Sequence, residues 1–353
     1  MGLPSLNQPF VKGAVETAVG HVPQVSSSLR SADKWGTIKA RCAVGRMHYT
    51  VEPGLYALGM PDERSSVLVT ANYKMSFDSL RSALPGLHAW ILVLDTKGIN
   101  VWCAAGKGTF GTDELVSRLD SNGLAKVVAH QELILPQLSA PGVAAHQVKK
   151  LSGFKVHYGP VRAEDLPAFL KADLKATPEM RRKTFTLGER AVLVPVEIVK
   201  APKWFWVVFP LVFVLGGLAG HGGFWASAWD HGLFAAVALI TGLLAGAVLT
   251  PLLLPWLPGR AFSLKGAGLG ILAAGILAAC WGAALSSWAG RLETLGWVLL
   301  VLAVTAYLAM NFTGASTYTS LSGVRREMRW ALPLQIGSAV AGLVCWLGGL
   351  FAV

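Results

Sequence analysis

The chain has 353 residues, 53% apolar and only 14% charged, where an ordinary soluble domain is about 25% charged. Its formal net charge is +11, but much of the basic excess flanks long apolar runs, as in Lys200, Lys203, Arg260, Lys265, Arg325, Arg326 and Arg329. No basic stripe is interleaved with aromatics, so the composition argues against nucleic acid as a partner. The four cysteines, Cys42, Cys103, Cys280 and Cys345, show no CxxC spacing, which excludes a disulfide framework and a cysteine-rich zinc or cluster motif.

Residues 1–20 lack the apolar core of a signal peptide, so the first half is expected in the cytoplasm, where free thiols persist. Up to about residue 64, scattered prolines and glycines suggest irregular chain. An alternating pattern then begins. Residues 67–73 form a short β-rich run and 77–83 a short helix. Residues 89–95 are continuously apolar, as in a strand buried on both faces. A helix over 112–122, capped by Thr112 or Asp113 and stopped by Gly123, follows. Then come a strand over 126–135, a helix over 143–151 stopped by Gly153, a strand over 154–158 and a helix over 163–176. This order predicts an α/β domain with a mostly parallel sheet and helices on its faces. Ligands of such sheets bind beyond the C-terminal ends of the strands. The polar breaks at 70–72, 95–98, 137–142 and 159–160 are expected to gather there.

From Trp204 onward the chain reads as membrane, which sets domains of 1–200 and 201–353. Five apolar runs, 204–219, 233–254, 267–285, 294–310 and 332–353, lie near or above the ~17 residues that cross a bilayer. Trp204, Trp206, Trp256, Trp288 and Trp330 sit near their ends, as interfacial tryptophans do. The second domain is therefore expected to be all-α, with about five transmembrane helices. Lys and Arg concentrate before the first run and in the second and fourth connections, while the first connection, 221–231, has none. That asymmetry predicts a multi-pass protein of the cytoplasmic (inner) membrane, with the first domain in the cytoplasm and the C-terminus outside. No run carries a charged residue at mid-depth, which argues against a transporter. The polar stretch 311–323 is either a docking surface or a plain connector.

The chemistry concentrates in Asn100-Val-Trp-Cys-Ala-Ala-Gly-Lys107. A β-like Val101-Trp102 pair runs into Cys103, and Ala104, Ala105, Gly106 and Gly108 remove bulk around it. A cysteine near a helix N-terminus, with Lys107 four residues on, sits where a thiolate is favoured. Three readings of Cys103 stay open on this chemistry: a structural cysteine, a nucleophilic or redox cysteine, and a soft-metal ligand. His21, His130, His146 and His157 do not form a metal spacing. Cys280 and Cys345 read as small apolar residues.

The octapeptide resembles the signature of the mercury-methylation corrinoid proteins. Val69-Thr-Ala-Asn-Tyr-Lys74, Leu94-Asp-Thr-Lys-Gly98, Leu135-Pro-Gln-Leu138, Ala140-Pro-Gly-Val-Ala-Ala-His146, Tyr158-Gly-Pro-Val-Arg162, Asp165-Leu-Pro-Ala-Phe169 and Ala176-Thr-Pro-Glu-Met-Arg-Arg182 resemble the same corrinoid domain. That domain is shared with the large subunit of the corrinoid iron–sulfur protein of acetyl-CoA synthesis. The resemblance covers roughly residues 5–200, and the apolar tail fits the same family.

The resemblance implies a Rossmann-like domain binding a corrinoid (cobalamin or a related cobamide) in base-off form, with Cys103 as the lower axial ligand of cobalt. A soft thiolate there would push electron density toward a methyl group on Co(III) and favour its transfer to Hg(II), giving methylmercury. The implied activity is that of a corrinoid-dependent methyltransferase. Thr70 then stands for a threonine near the upper face of the cobalt. Asn100, Val101, Trp102, Ala104, Ala105, Gly106, Lys107, Asn72, Gln137, Leu138, Gly142 and Gly159 are the other expected cofactor neighbours. From the residues alone, Asn100 equally suits a helix start, Trp102 a core position, Lys107 a solvated helix end, and Gly142 and Gly159 turns. The implied partners are a small ferredoxin-like protein with two 4Fe–4S clusters, a methyl-tetrahydrofolate-dependent methyl donor protein, Hg(II) as substrate, and membrane lipid. The alternative is a membrane-bound corrinoid carrier that passes methyl groups to another protein in one-carbon metabolism.

Overall fold

Continuously apolar strands need cover on both faces, and this chain supplies it. A computed structural model describes residues 2–200, 205–219, 223–281, 285–316 and 321–352. The chain divides into two units, one of Met1–Ala40 with Val44–Lys183, the other of Arg41–Ala43 with Thr184–Val353. The first unit holds a seven-stranded sheet in the order β1-β2-β3-β5-β4-β6-β7. Its strands are β1 (Val11–Thr17), β2 (Gly20–Val25), β3 (Gly54–Leu58), β4 (Val67–Ala71), β5 (Ala89–Leu94), β6 (Glu132–Leu135) and β7 (Lys155–Tyr158). Strands β5, β4, β6 and β7 run parallel. β2 also pairs parallel with β3, while the β1–β2 and β3–β5 pairs are antiparallel.

Every residue of β3, β4 and β5 is buried, and alternation along them divides two cores. On one face Val67, Val69, Ala71, Trp90, Leu92 and Leu94 pack with Ala104, Ala105, Leu115 and Val148. These last belong to helices α3 (Val101–Lys107), α4 (Thr112–Ser121) and α5 (Ala145–Ser152). On the other face Leu68, Ile91 and Val93 pack with Phe77, Leu80 and Phe169, from α2 (Lys74–Ser82) and α6 (Leu166–Lys171).

Several expectations need correction. The first 64 residues are not irregular: they form β1, β2, β3 and α1 (Ser31–Arg41). Pro23 conceals β2, yet pairing with β3 begins only at Gln24, one residue past it, so the missing N–H breaks no bond of that ladder. Val101 and Trp102 open helix α3 rather than extending a strand. The strand expected over 126–135 shrinks to β6, because Leu124–Lys126 close a 3-10 turn on the left-handed Gly123. The helix expected over 163–176 is a 3-10 turn, Ala163–Asp165, followed by α6, and it ends before Asp173 and Leu174, which adopt positive φ.

The second unit is helical. Short α7 (Leu187–Ala191) and α8 (Val194–Lys200) precede α9 (Phe205–Ala219), α10 (Phe224–Leu253), α11 (Phe262–Trp281), α12 (Trp288–Asn311) and α13 (Leu321–Phe351). Among the described residues four helices are long and apolar enough to cross a membrane: α10, α11, the run Trp288–Gly314 that extends α12, and α13 from Ser322. They mark a membrane protein. The 15-residue α9 is shorter and carries Pro210; its expected start at Trp204 lies outside the described residues. So do Lys203, His221, residues 317–320 of the polar stretch, and Val353. The expected first connection, 221–231, is mostly helix, since α10 already begins at Phe224. Asp230 and His231 therefore lie inside an apolar helix.

Glycines let these helices approach closely: a Cβ at Gly246 would lie 2.9 Å from the Thr305 carbonyl oxygen, and one at Gly266 2.4 Å from the Ala309 Cβ. Small residues at such crossings are how membrane helices gain contact without a hydrophobic driving force. A π-helical turn, Leu244–Leu249, interrupts α10, and Thr250 Oγ1 donates back to the Ala245 carbonyl at 2.8 Å.

In the first unit a buried four-charge network joins α1 to α2. Lys74 Nζ lies 2.9 Å from Asp33 and 2.5 Å from Asp78, while Arg81 reaches Asp78 at 2.7 Å and Asp33 at 2.9 Å. Two positive and two negative groups cancel. Burial pushes the Asp33 carboxyl up, but hydrogen bonds from Lys74 and the Arg30 backbone, with the charges of Lys74 and Arg81, bring it down to about 2. Removing one member leaves an uncompensated buried charge, so Arg81→Met should cost about 3–5 kcal/mol in denaturant unfolding of the detergent-solubilised chain. Because the Asp33 pKa in the fold lies below its ordinary 3.8, its contribution is complete above about pH 4 and lost as pH falls toward 2. Asp33→Asn should destabilise the chain at neutral pH and flatten the loss of stability between pH 4 and 2.

Candidate functional site

The four parallel strands put their C-terminal ends at one edge, and each is followed there by one of the polar breaks. Strand order reverses between β4 and β6, so the connections leaving these two strands diverge and open a crevice at the edge. Thr70–Asn72 stand on one side of it and Gln137–Gly142 on the other. α3 packs against both the end of β4 and the 3-10 turn Gln137–Ser139.

Asn72 builds the approach to α3. It is buried, and its side-chain oxygen accepts from the Thr96 N–H at 3.1 Å, the Thr96 hydroxyl at 2.9 Å and the Gly98 N–H at 3.0 Å. The same hydroxyl lies 2.6 Å from the Ile99 carbonyl, so its single hydrogen is shared between that oxygen and Asn72 Oδ1. These bonds hold Lys97 and Gly98 in consecutive left-handed conformations. Asp95, half-buried beside them, accepts from the Lys97 ammonium and N–H and from Asn72 Nδ2. Burial pushes its carboxyl up, but these Lys97 bonds and the Lys97 and Arg118 charges outweigh that and hold it below the usual carboxylate range. The Asp95 N–H donates to Glu114 at 2.8 Å, and Glu114 pairs with Arg118.

Asn100 is the N-cap of α3: its side-chain oxygen accepts from the Cys103 N–H at 3.0 Å. The helix-start reading of Asn100 is thus the observed one. One face of α3 is buried through Ala104 and Ala105, while Trp102, Cys103, Gly106 and Lys107 are exposed and Val101 is half-buried. Trp102 is 40% exposed, too open for a core side chain. Lys107 makes no ion pair among the described residues. Gly108, with φ +81°, closes the helix in the left-handed conformation.

The opposite wall explains Gly142. A Cβ there would lie 2.2 Å from the Phe110 carbonyl oxygen and 2.9 Å from the Ala105 Cα. Glycine lets this backbone touch that of α3, a packing role that composition does not reveal. Leu138 is half-buried, Gly159 is buried, and Gln137 Oε1 accepts from Arg181 at 3.0 Å. The Tyr158 hydroxyl donates to the Val143 carbonyl and ties the 137–144 loop to the end of β7.

Thr70 sits in β4 at 4% exposure. It alternates with Val69 and Ala71 and so shares the α2 face of the sheet with Leu68. Cys103 and Thr70 therefore belong to one edge but to its two faces. The Thr70 hydroxyl makes no hydrogen bond among the described residues. Thr96 and Glu114, which brace the approach to Cys103, are additions of the structure. A threonine one residue after a polar strand end is the only sequence signal either left.

A solvent-exposed cysteine on a capped helix, beside the C-terminal edge of a doubly covered mixed sheet, belongs to an α/β domain. Residues 44–170 match the family described as CO dehydrogenase/acetyl-CoA synthase delta subunit. Curated relatives include the acetyl-CoA decarbonylase/synthase complex subunit gamma of Methanopyrus kandleri, 31% identical over 125 residues, covering 35% of this chain and 27% of the relative. The subunit of the same name from Methanocaldococcus jannaschii is 34% identical over 97 residues (27% of this chain, 20% of the relative). Subunit gamma 2 from Methanosarcina thermophila is 32% identical over 130 residues (36% and 27%). The chain thus spans about a quarter of the length of these relatives.

The close approach at Gly142 can be tested directly. Gly142→Ala forces the 137–144 backbone off α3 and should destabilise the fold by about 2 kcal/mol or more, within the range of overpacked cores. Asn100→Ala removes a cap and should cost about 1 kcal/mol. Denaturant unfolding of both variants, with protease cleavage near residues 100–110 as local readout, checks the two values.

Proposed function

We propose that the chain is a membrane-bound corrinoid methyltransferase that delivers a methyl group to Hg(II), with Cys103 as the cobalt ligand. The observation that carries the reading is Cys103 itself, exposed on a capped helix at the reversing edge of the sheet and inside the region related to acetyl-CoA synthase subunits. The residues fit such a group. Cysteine is the soft donor that cobalt accepts, and the positions of Gly106 and Gly108 are open, with no atom within 4 Å of an added Cβ.

When bound, the corrinoid supplies a cobalt-carried methyl group that can leave to a soft acceptor. The chain's own part is to hold and orient. Asn100 fixes the backbone of Cys103, so Sγ is presented from a set helix start. Ala104 and Ala105 anchor the opposite face of α3. Trp102, Gly106 and Lys107 offer an apolar plane, an open surface and an exposed cation for the ring and its polar periphery. Gln137, Leu138, Gly142 and Gly159 form the far wall, and Thr70 offers an unpartnered hydroxyl at the end of β4.

The finer features belong to the same proposal. The domain is Rossmann-like and holds its corrinoid base-off. α9 makes a fifth span, which leaves the first domain in the cytoplasm and the C-terminus outside. Reduction comes from a ferredoxin-like protein with two 4Fe–4S clusters, and methyl groups come from a methyl-tetrahydrofolate-dependent protein. The names of the matched relatives favour a second reading, a carrier that hands methyl groups to another protein of one-carbon metabolism. Purified full-length protein loaded with methylcorrinoid separates the two: methylation of Hg(II) without a further protein supports the first and its absence the second.

Cys103→Ala should abolish methylmercury formation while membrane insertion and the fold persist, since truncating one exposed side chain changes stability by about 0.5 kcal/mol or less. Cys103→His should retain corrinoid with a shifted absorption spectrum and lose transfer far more than binding; Cys42→Ala should change little. Near-normal methylation by Cys103→Ala would refute the ligand role. A reporter fused after Val353 should behave as external and one within 316–326 as cytoplasmic; the reverse pattern would discard the orientation.

A further inference from the structure

The first unit leaves one stretch of apolar side chains uncovered. Trp35 and Ile38 of α1 are 63% and 49% exposed, and Val44 and Met47, in the turn that follows, are 59% and 63% exposed. Elsewhere in this unit large exposed apolar side chains stand singly, at Leu6, Met60, Trp102 and Leu151. The buried side of α1 holds Asp33 and Ala40, about two turns apart. Trp35 and Ile38, three residues apart, share the opposite side. The turn is tied to the helix. The Val44 N–H donates to the Lys39 carbonyl at 2.9 Å, and the Tyr49 hydroxyl donates to the Asp33 carbonyl at 3.0 Å. A Cβ at Gly36 would lie 2.5 Å from that hydroxyl, so Tyr49 rests directly on the helix.

The charge around these residues has one sign. Arg30, Lys34 and Lys39 are exposed and Arg46 is half-buried, and none of the four makes an ion pair among the described residues. The only carboxylate between Arg30 and Thr50 is Asp33, which is buried and held by Lys74 and Arg81. A short helix that exposes an indole and aliphatic side chains among cations matches an anionic bilayer surface. Its apolar groups enter the acyl boundary while lysine and arginine reach lipid phosphate, and tryptophan favours that boundary. A bilayer is also within reach by covalent linkage. The same chain carries four helices long and apolar enough to cross a membrane, which raises the effective concentration of lipid at the first unit.

We infer that α1 and the turn 44–48 dock on the anionic surface of a lipid bilayer. Trp35, Ile38, Val44 and Met47 enter it, and Arg30, Lys34, Lys39 and Arg46 face lipid phosphates. This contact is separate from the membrane-crossing helices and does not rest on the corrinoid reading.

Hydrogen–deuterium exchange of the full chain in nanodiscs of phosphatidylcholine and of phosphatidylglycerol tests it. Amides of residues 34–48 should exchange on the order of tenfold more slowly in phosphatidylglycerol, and the difference should vanish in about 0.5 M salt. Lys34→Glu with Lys39→Glu should abolish the slowing, and so should Trp35→Ser with Ile38→Ser. Unchanged exchange in β4 and β5 shows that both double variants keep the fold. Equal exchange in the two kinds of disc, or slowing that survives either double variant, overturns the inference. Slowing that is the same in both lipids and grows with the number of chains per disc overturns it too, and assigns the face to a second copy of the chain.

Discussion

One side-chain oxygen organises the approach to Cys103. Asn72 Oδ1 collects three donors from the turn after β5, two of them backbone N–H groups that the left-handed Lys97–Gly98 pair turns inward. Left without an acceptor, each buried donor would cost about 1–3 kcal/mol. The turn is therefore fixed by the end of β4, its neighbour in the sheet, and α3 starts from that fixed turn. Asn100 then repeats the device one step on, accepting from the Cys103 N–H. The position of the Cys103 side chain thus depends on two amide side chains that need touch no ligand themselves. Asn72, expected among the cofactor's neighbours, has its oxygen fully engaged within the protein.

The sheet makes this placement durable. β4 and β5 are covered on both faces, so their C-terminal ends cannot shift without opening two cores. The reversal of strand order between β4 and β6 leaves a crevice at that edge, and α3 closes one side of it against the 137–142 turn. Only glycine at 142 permits that contact. A soft sulfur donor on a rigid, capped helix, with open glycine positions beside it, suits a large planar metal cofactor better than a small metal ion. Among the described residues no group of three or more His, Cys, Asp or Glu that could hold a metal exists. In the helical unit the same economy of small residues serves close helix contact, as at Gly246 and Gly266.

The parallel half of the fold was legible because β4 and β5 are unbroken apolar runs and their helices carry clear stops at Gly123 and Gly153. The polar breaks did gather at one edge. The first 64 residues were not legible: Pro23 and the bulge between Val11 and Gly13 disguise β1 and β2, and β3 is five residues long after Pro53. Short strands like these gain their stability from neighbours rather than from local pattern. At the site, the octapeptide placed Cys103 near a helix start but left its burial open, and its Val-Trp start read as extended because both residues favour strands. The actual start is set by the Asn100 cap. The roles of Asn72, Thr96 and Gly142 rest on contacts between segments distant in sequence, which no local pattern encodes. The same holds for Asp230 and His231: by pattern they belong to a connection between spans, but they lie inside α10, which begins at Phe224.

The central claim is that Cys103 binds cobalt, and X-ray absorption at the cobalt edge tests it most directly. Full-length protein purified from membranes of corrinoid-replete cells should carry cobalt with a sulfur neighbour, and Cys103→Ala should lack that sulfur. Cobalt bound without a sulfur neighbour in the unaltered chain, or no cobalt in a folded protein, would contradict the account.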